Sequence, residues 1–202
     1  MDIATAAGTA GYAYLVGSIP AAYLIARMAR GVDVRAEGEG NVGARNVFHV
    51  VGPHWGVVSF LADFGKGVAV ALPFREAPAA QLAIAGVFLV VGHGYPVWLR
   101  FVGGKGLASA GGFAAALMPI AAAMGSVVGL VALAVSRRFL PSVVPAILVM
   151  IVAAPFTGIA WQVVAVSLGT FVVVGLKRAL DEPRMRTVEA QTGWDRARGG
   201  VA

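Results

Sequence analysis

Two glycine-rich turns and a handful of ionisable residues carry the chemistry available to this chain. The first turn, Gly38-x-Gly40-x-x-Gly43, has the spacing of a dinucleotide-binding loop. Such a loop needs a buried strand before it and a helix after it within a soluble unit. Val32-Asp33-Val34 is too short and too polar for that strand, and an apolar run follows within a dozen residues, so the sequence argues against a nucleotide site. The second turn is Gly103-Gly104-Lys105-Gly106. It is no Walker loop, because Gly106 stands where Ser or Thr is required. Its glycines still let backbone N–H groups converge on an anion, Lys105 adds a point charge, and a helix starting near Leu107 adds its positive end. Asp63 and Lys66 are three apart within an apolar run and can face each other. At membrane depth such a pair is either functional or a self-neutralised structural couple. His93, between Gly92 and Gly94, is either a hydrogen-bonded packing residue or a group that titrates near neutrality.

The elements that position these residues belong to a membrane. Of 202 residues, 58% are apolar and only 13% are charged, half the charge density of ordinary soluble domains, which is about a quarter. Apolar runs cover 4–26, 50–74, 79–99, 107–136, 139–155 and 158–176, most of them near the roughly 20 residues that cross a bilayer as a helix. Asp2 ahead of the first run, with no basic residue before it, argues against a cleaved signal peptide. The chain has no cysteine, which excludes disulfides and thiolate metal sites. Its net charge of +6 reads as cytoplasmic loops and anionic substrates rather than nucleic acid.

Basic residues set the topology. They cluster at Arg27, Arg30, Arg35 and Arg45, at Arg100 and Lys105, at Arg137 and Arg138, and in a tail from Lys177 and Arg178 through Arg184, Arg186, Arg196 and Arg198. Placing every cluster in the cytoplasm requires an outside N-terminus and an even number of crossings between clusters. Residues 107–136 must then cross twice or not at all. As one helix they would span about 45 Å, room for a shortened helix, a break near Pro119 and a full one. The expectation is an all-α polytopic bundle of about seven transmembrane helices, one short, over 1–176, with a cytoplasmic polar tail over 177–202. Five helices is the fallback.

Four stretches in register resemble the bacterial acyl-phosphate:glycerol-3-phosphate acyltransferase family. They are Gly17-Ser18-Ile19-Pro20; Gly40-Asn41-Val42-Gly43-Ala44 with Asn46-Val47; Asp63-Phe64-Gly65-Lys66-Gly67; and Gly92-His93-Gly94-Tyr95-Pro96-Val97, continued by Phe101 and Gly103-Gly104-Lys105-Gly106. The resemblance implies a seven-helix enzyme of the cell membrane with its active site facing the cytoplasm. It implies transfer of an acyl group from acyl phosphate to the 1-hydroxyl of sn-glycerol 3-phosphate. The products would be lysophosphatidic acid and phosphate, a step of phospholipid biosynthesis. No cofactor, metal or nucleic acid is expected; the partners are the two substrates and membrane lipid, and the oligomeric state is left open.

Under this resemblance the catalytic candidates are Glu39, Asn41, His49, Lys105 and His93. Ser18, Gly40, Gly43, Arg45, Asn46, Lys66, Gly103, Gly104 and Gly106 are candidates for binding substrate or phosphate. Lys105 with the Gly103-Gly104 backbone would hold the glycerol phosphate. Gly40, Asn41 and Gly43 would cradle the acyl phosphate or its oxyanion, and Arg45 and His49 would supply positive charge. The proton acceptor is the departing phosphate, Glu39 or His93. The chain departs from the family pattern at four places. Glu39 replaces a serine, Arg45 a threonine and His49 a functional arginine, and the tail has no counterpart of a C-terminal asparagine. Arg45, six residues after Glu39, is placed to pair with it. A second reading is a catalytically altered relative that transports or binds anions or lipids.

Overall fold

The computed structural model describes residues 1–194; Arg196 and Arg198 lie outside them. Among the described residues every regular element is helical. The α-helices are α1 (Ile3–Gly17), α2 (Ala21–Arg30), α3 (Ala44–Val50), α4 (Pro53–Ala71), α5 (Ala79–Gly94), α6 (Leu107–Leu117), α7 (Pro119–Ser136), α8 (Phe139–Ala153) and α9 (Trp161–Thr192). Six segments are long and apolar enough to cross a bilayer, the first of them α1 and α2 together, and α6 is a shorter apolar helix. The fold is the expected polytopic membrane bundle. The 30-residue apolar run divides at Met118 and Pro119, where Met118 leaves the helical region (φ −139°, ψ 68°) and Pro119 starts α7. Proline disfavours a helical conformation in the residue before it, which is why one run becomes two helices.

Helices cross with backbone against backbone where glycines remove the side chain. A Cβ on Gly67 of α4 would lie 2.0 Å from the Ser109 carbonyl oxygen of α6, and one on Gly112 of α6 would lie 2.0 Å from that of Phe64. The α1–α5 crossing repeats the device, with Gly17 against Leu89 and Gly92 against Tyr14. Small residues at such crossings replace the hydrophobic drive that lipid cannot supply. Because the obstructing atom is a carbonyl oxygen and not a pliable side chain, Gly67→Ala should destabilise the bundle by about 2 kcal/mol or more. A lowered unfolding temperature in detergent would show it, while an unchanged one would mean that α4 and α6 shift freely.

The α1–α2 break at residues 18–20 leaves polar groups that a lipid environment cannot satisfy. Lys66 and Ser18 satisfy them. Lys66 Nζ donates to the Ile19 carbonyl at 3.0 Å and lies 2.9 Å from Asp63 Oδ1. Ser18 Oγ donates to the Leu15 carbonyl at 2.8 Å and accepts from Trp98 Nε1 at 3.0 Å.

The chain stays helical from residue 177 to Thr192. α9 has 32 residues, about 48 Å of helix, against a hydrocarbon core of about 30 Å. Its later turns carry the ion pairs Lys177–Asp181 and Glu182–Arg186, each four residues apart, and Gly193 ends it at φ 68°. These turns pack on the first loop, residues 31–43. Arg184 Nη1 donates to the Gly40 carbonyl at 2.9 Å, and Thr192 Oγ1 donates to that of Gly38 at 2.8 Å.

Candidate active site

The first loop is shaped by one amide. Asn46 on α3 is fully buried. Its Oδ1 accepts the Glu39 N–H at 3.1 Å, and its Nδ2 faces the carbonyl oxygens of Val34, Glu37 and Asn41 at 2.8, 2.9 and 3.1 Å. Gly38 and Gly40 hold positive φ (57° and 66°), and Gly40 presses on Val188 of α9, so a side chain there meets both strain and a clash. The loop so fixed presents Glu39 and Asn41 inward.

The second turn meets the first directly. A Cβ on Gly104 would lie 2.2 Å from the Val42 carbonyl oxygen and 2.2 Å from His93 Nε2. Glycine at 104 is what allows Asn41 and Lys105 to share one space. The backbone N–H groups of Gly103 and Gly104 donate to the carbonyls of Gly94 and His93, each at 3.1 Å. The Gly40 and Gly43 N–H groups likewise donate within the loop, to Glu37 and Asn41. These four amides are therefore occupied by backbone acceptors, unlike the anion-facing amides the sequence leads one to expect.

Side chains make the polar site instead. A cavity of about 910 Å³ is lined at one end by Glu39, Asn41, Arg45, His93, Lys105 and Arg178. Glu39 Oε2 lies 3.3 Å from Arg45 Nη1 and 3.6 Å from Lys105 Nζ. The expected Glu39–Arg45 pair is present, and Lys105 joins it. Burial pushes the Lys105 ammonium below the usual lysine range; Glu39 opposes this, and Arg178 and Arg45 add to it. The Asn41 Oδ1 is buried and has no hydrogen-bond partner among the described residues, an acceptor that fits a substrate hydroxyl. Beneath this end, Asp63 is 2% exposed, and His93 Nδ1 lies 3.3 Å from Ser109 Oγ and 3.8 Å from Asp63 Oδ1.

The rest of the cavity is apolar. It runs from Leu107 along Ala115 of α6 and is walled by Ala122 of α7, Ile147 and Met150 of α8 and Phe171 of α9. A second, outer cavity of about 540 Å³ shares Glu39, Arg45, Lys105 and Arg178 with the first and adds Arg138 from the α7–α8 turn.

The candidates thus divide. Glu39, Asn41, Gly43, Arg45, His93, Lys105 and Gly106 line the main cavity. Asn46, Gly40, Gly103 and Gly104 build the loops behind it, and Ser18 and Lys66 serve the helix break. His49 packs edge-on against Phe48 and Trp194, at 5.3 and 5.4 Å between ring centres, and its imidazole is pushed below the usual histidine range by burial and then by Arg45. His49 does not line the cavity, because Arg45, one helical turn earlier on α3, takes that place. Arg178 went unassigned in the sequence, where Lys177-Arg178 read as a topological marker. Its signal was positional: it follows the cavity-lining Phe171, Val174 and Gly175 by seven, four and three residues on one helix face.

Known proteins resemble this chain in sequence and in fold. Residues 8–182 match the family described as glycerol-3-phosphate acyltransferase. The chain is 43% identical over 129 residues to the glycerol-3-phosphate acyltransferase of Desulforudis audaxviator, covering 63% of this chain and 65% of that one. It is 47% identical over 128 residues to that of Myxococcus xanthus, covering 61% and 66%. The alignments thus span just under two thirds of these relatives' length. Among solved structures, the chain is similar to the crystal structure of PlsY (YgiH), an integral membrane glycerol 3-phosphate acyltransferase, in its glycerol 3-phosphate form. That match has a TM-score of 0.77 and 30% identity, and covers 90% of this chain and 92% of the other. The lysophosphatidic acid form matches with a TM-score of 0.73 at 28% identity.

Proposed function

The chain belongs to the glycerol-3-phosphate acyltransferase family, and we propose that its cavity transfers an acyl group from acyl phosphate to the 1-hydroxyl of sn-glycerol 3-phosphate. The observation that carries this reading is a single cavity with an apolar arm between α6, α7, α8 and α9 and a cationic end at Arg45, Lys105 and Arg178. An acyl phosphate has the same two halves, a hydrocarbon chain and a phosphate. The glycerol phosphate comes from water, and the outer cavity with Arg138 gives it a route and a second cationic contact.

In the proposed reaction the hydroxyl oxygen attacks the acyl carbonyl carbon. The carbon–oxygen bond to phosphate breaks, and the hydroxyl proton passes to the departing phosphate. Glu39, already engaged by two cations, is poorly suited to accept that proton, and His93 Nδ1 is directed at Ser109 and Asp63. Lys105 and Arg45 hold one phosphate and Arg178 neutralises the second. Asn41 orients the hydroxyl through its unpartnered Oδ1. Holding both reactants in line supplies most of the acceleration, up to about 10 kcal/mol. The protein would sit in the cell membrane with its N-terminus outside, because the basic clusters that line the site then face the cytoplasm.

The direct test gives detergent-solubilised protein palmitoyl phosphate and glycerol 3-phosphate and measures phosphate release. Release that needs both substrates supports the reading. No release, with uptake of phosphate esters into liposomes, supports transport instead. The apolar arm makes a further expectation. Ala115 lines it eight residues along α6 from Leu107, about 12 Å deeper. Ala115→Phe should lower turnover of a C16 donor about tenfold while sparing a C8 donor. Equal losses for both lengths would place the acyl chain elsewhere.

A further inference from the structure

The cationic end of the cavity already contains an anion. Glu39 is 3% exposed, and its carboxylate sits between Arg45 and Lys105 at 3.3 and 3.6 Å. An arginine and a lysine converging on one oxygen is a geometry that suits a phosphate as well as a carboxylate. A substrate phosphate held by these two cations and the carboxylate that now bridges them need the same place. The Glu39 backbone stays fixed, because its N–H is tied to Asn46. Its side chain has somewhere to go. Glu39 also lines the outer cavity, where Arg138 offers another cation in a lining that also includes Glu189.

We propose that Glu39 is an internal competitor for the phosphate subsite, displaced toward the outer cavity when substrate phosphate binds and returning to Arg45 and Lys105 to expel inorganic phosphate after transfer. This rests on the acyl-transfer reading and assigns product release within it. A competitor built into the site weakens every anion at that subsite by a common factor, the fraction of time the cations are uncovered. Acyl phosphate offsets that factor with its chain in the apolar arm. Inorganic phosphate has no such addition, so the return of Glu39 selectively empties the site of product.

The sign of one change separates this role from a structural one. Glu39→Gln keeps size and shape and removes the charge; Glu39→Ser is a second variant should the first fold poorly. If Glu39 competes with phosphate, Glu39→Gln should bind inorganic phosphate at least about tenfold more tightly. Its product inhibition constant should fall by the same factor, and the KM for glycerol 3-phosphate should fall with kcat as phosphate release becomes limiting. If Glu39 only holds the cations in place, phosphate binding weakens and KM rises, which overturns the proposal. Unchanged phosphate inhibition in both variants overturns it as well. Absence of turnover in the unaltered protein overturns the acyl-transfer reading, and this proposal with it. Normal turnover without tighter phosphate binding in the variants sinks only the role of Glu39.

Discussion

Lys105→Ala should lower kcat/KM for palmitoyl phosphate by about 100-fold, chiefly through KM. Lys105 is a partly buried ammonium at the meeting point of the two turns, and its one anionic neighbour within 4 Å among the described residues is Glu39. Removing it takes away a charge-assisted contact to phosphate, worth about 1.5–3 kcal/mol, and leaves Glu39 paired with Arg45 alone. Steady-state kinetics with each substrate varied in turn will show which phosphate Lys105 holds. An unchanged KM for palmitoyl phosphate would remove Lys105 from the donor-phosphate subsite. The pH dependence points the same way. Burial, opposed by Glu39 and reinforced by Arg178 and Arg45, lowers the Lys105 pKa. Its charge is therefore lost at a lower pH than a solvated lysine loses its own, and the alkaline limb of kcat/KM should begin correspondingly early.

Asn46→Asp should abolish activity while leaving the membrane bundle helical. The change is isosteric but reverses the chemistry. Asn46 Nδ2 faces three carbonyl oxygens, and a carboxylate oxygen there would be repelled by all of them. Each buried polar group left without its partner costs about 1–3 kcal/mol, enough together to open the first loop and withdraw Glu39 and Asn41 from the cavity. Circular dichroism should stay near that of the unaltered protein while phosphate release falls to background. Retained activity would mean that the loop is held by other contacts, such as those of Arg184 and Thr192.

The fold was legible in the sequence because bilayer crossing depends on length and apolarity, and both can be read residue by residue. The split at Pro119 followed from length and proline chemistry alone. The Asp63–Lys66 and Glu39–Arg45 pairs followed from spacing. What spacing could not show is which polar groups a loop uses for itself. Asn46, Gly103 and Gly104 have residue types that suit phosphate binding, yet their hydrogen bonds close on backbone groups five to twelve residues away. Ser18 and Lys66 were hidden for a related reason: their partners are backbone and side-chain groups around a helix break that only the folded chain reveals. Arg178 was missed because a basic residue ending an apolar run serves topology equally well.

The last helix belongs to two environments at once. Near Phe171 and Val174 it walls the apolar arm, and from Arg184 to Thr192 it grips the first loop. A helix in lipid sets its tilt by the thickness of the bilayer around it. α9 continues from one region to the other with Pro183 inside it, where proline removes a helical hydrogen bond, so leaning of the immersed half reaches the grip through that point. The spacing of the phosphate-facing groups should thereby follow the thickness of the membrane in which the protein sits.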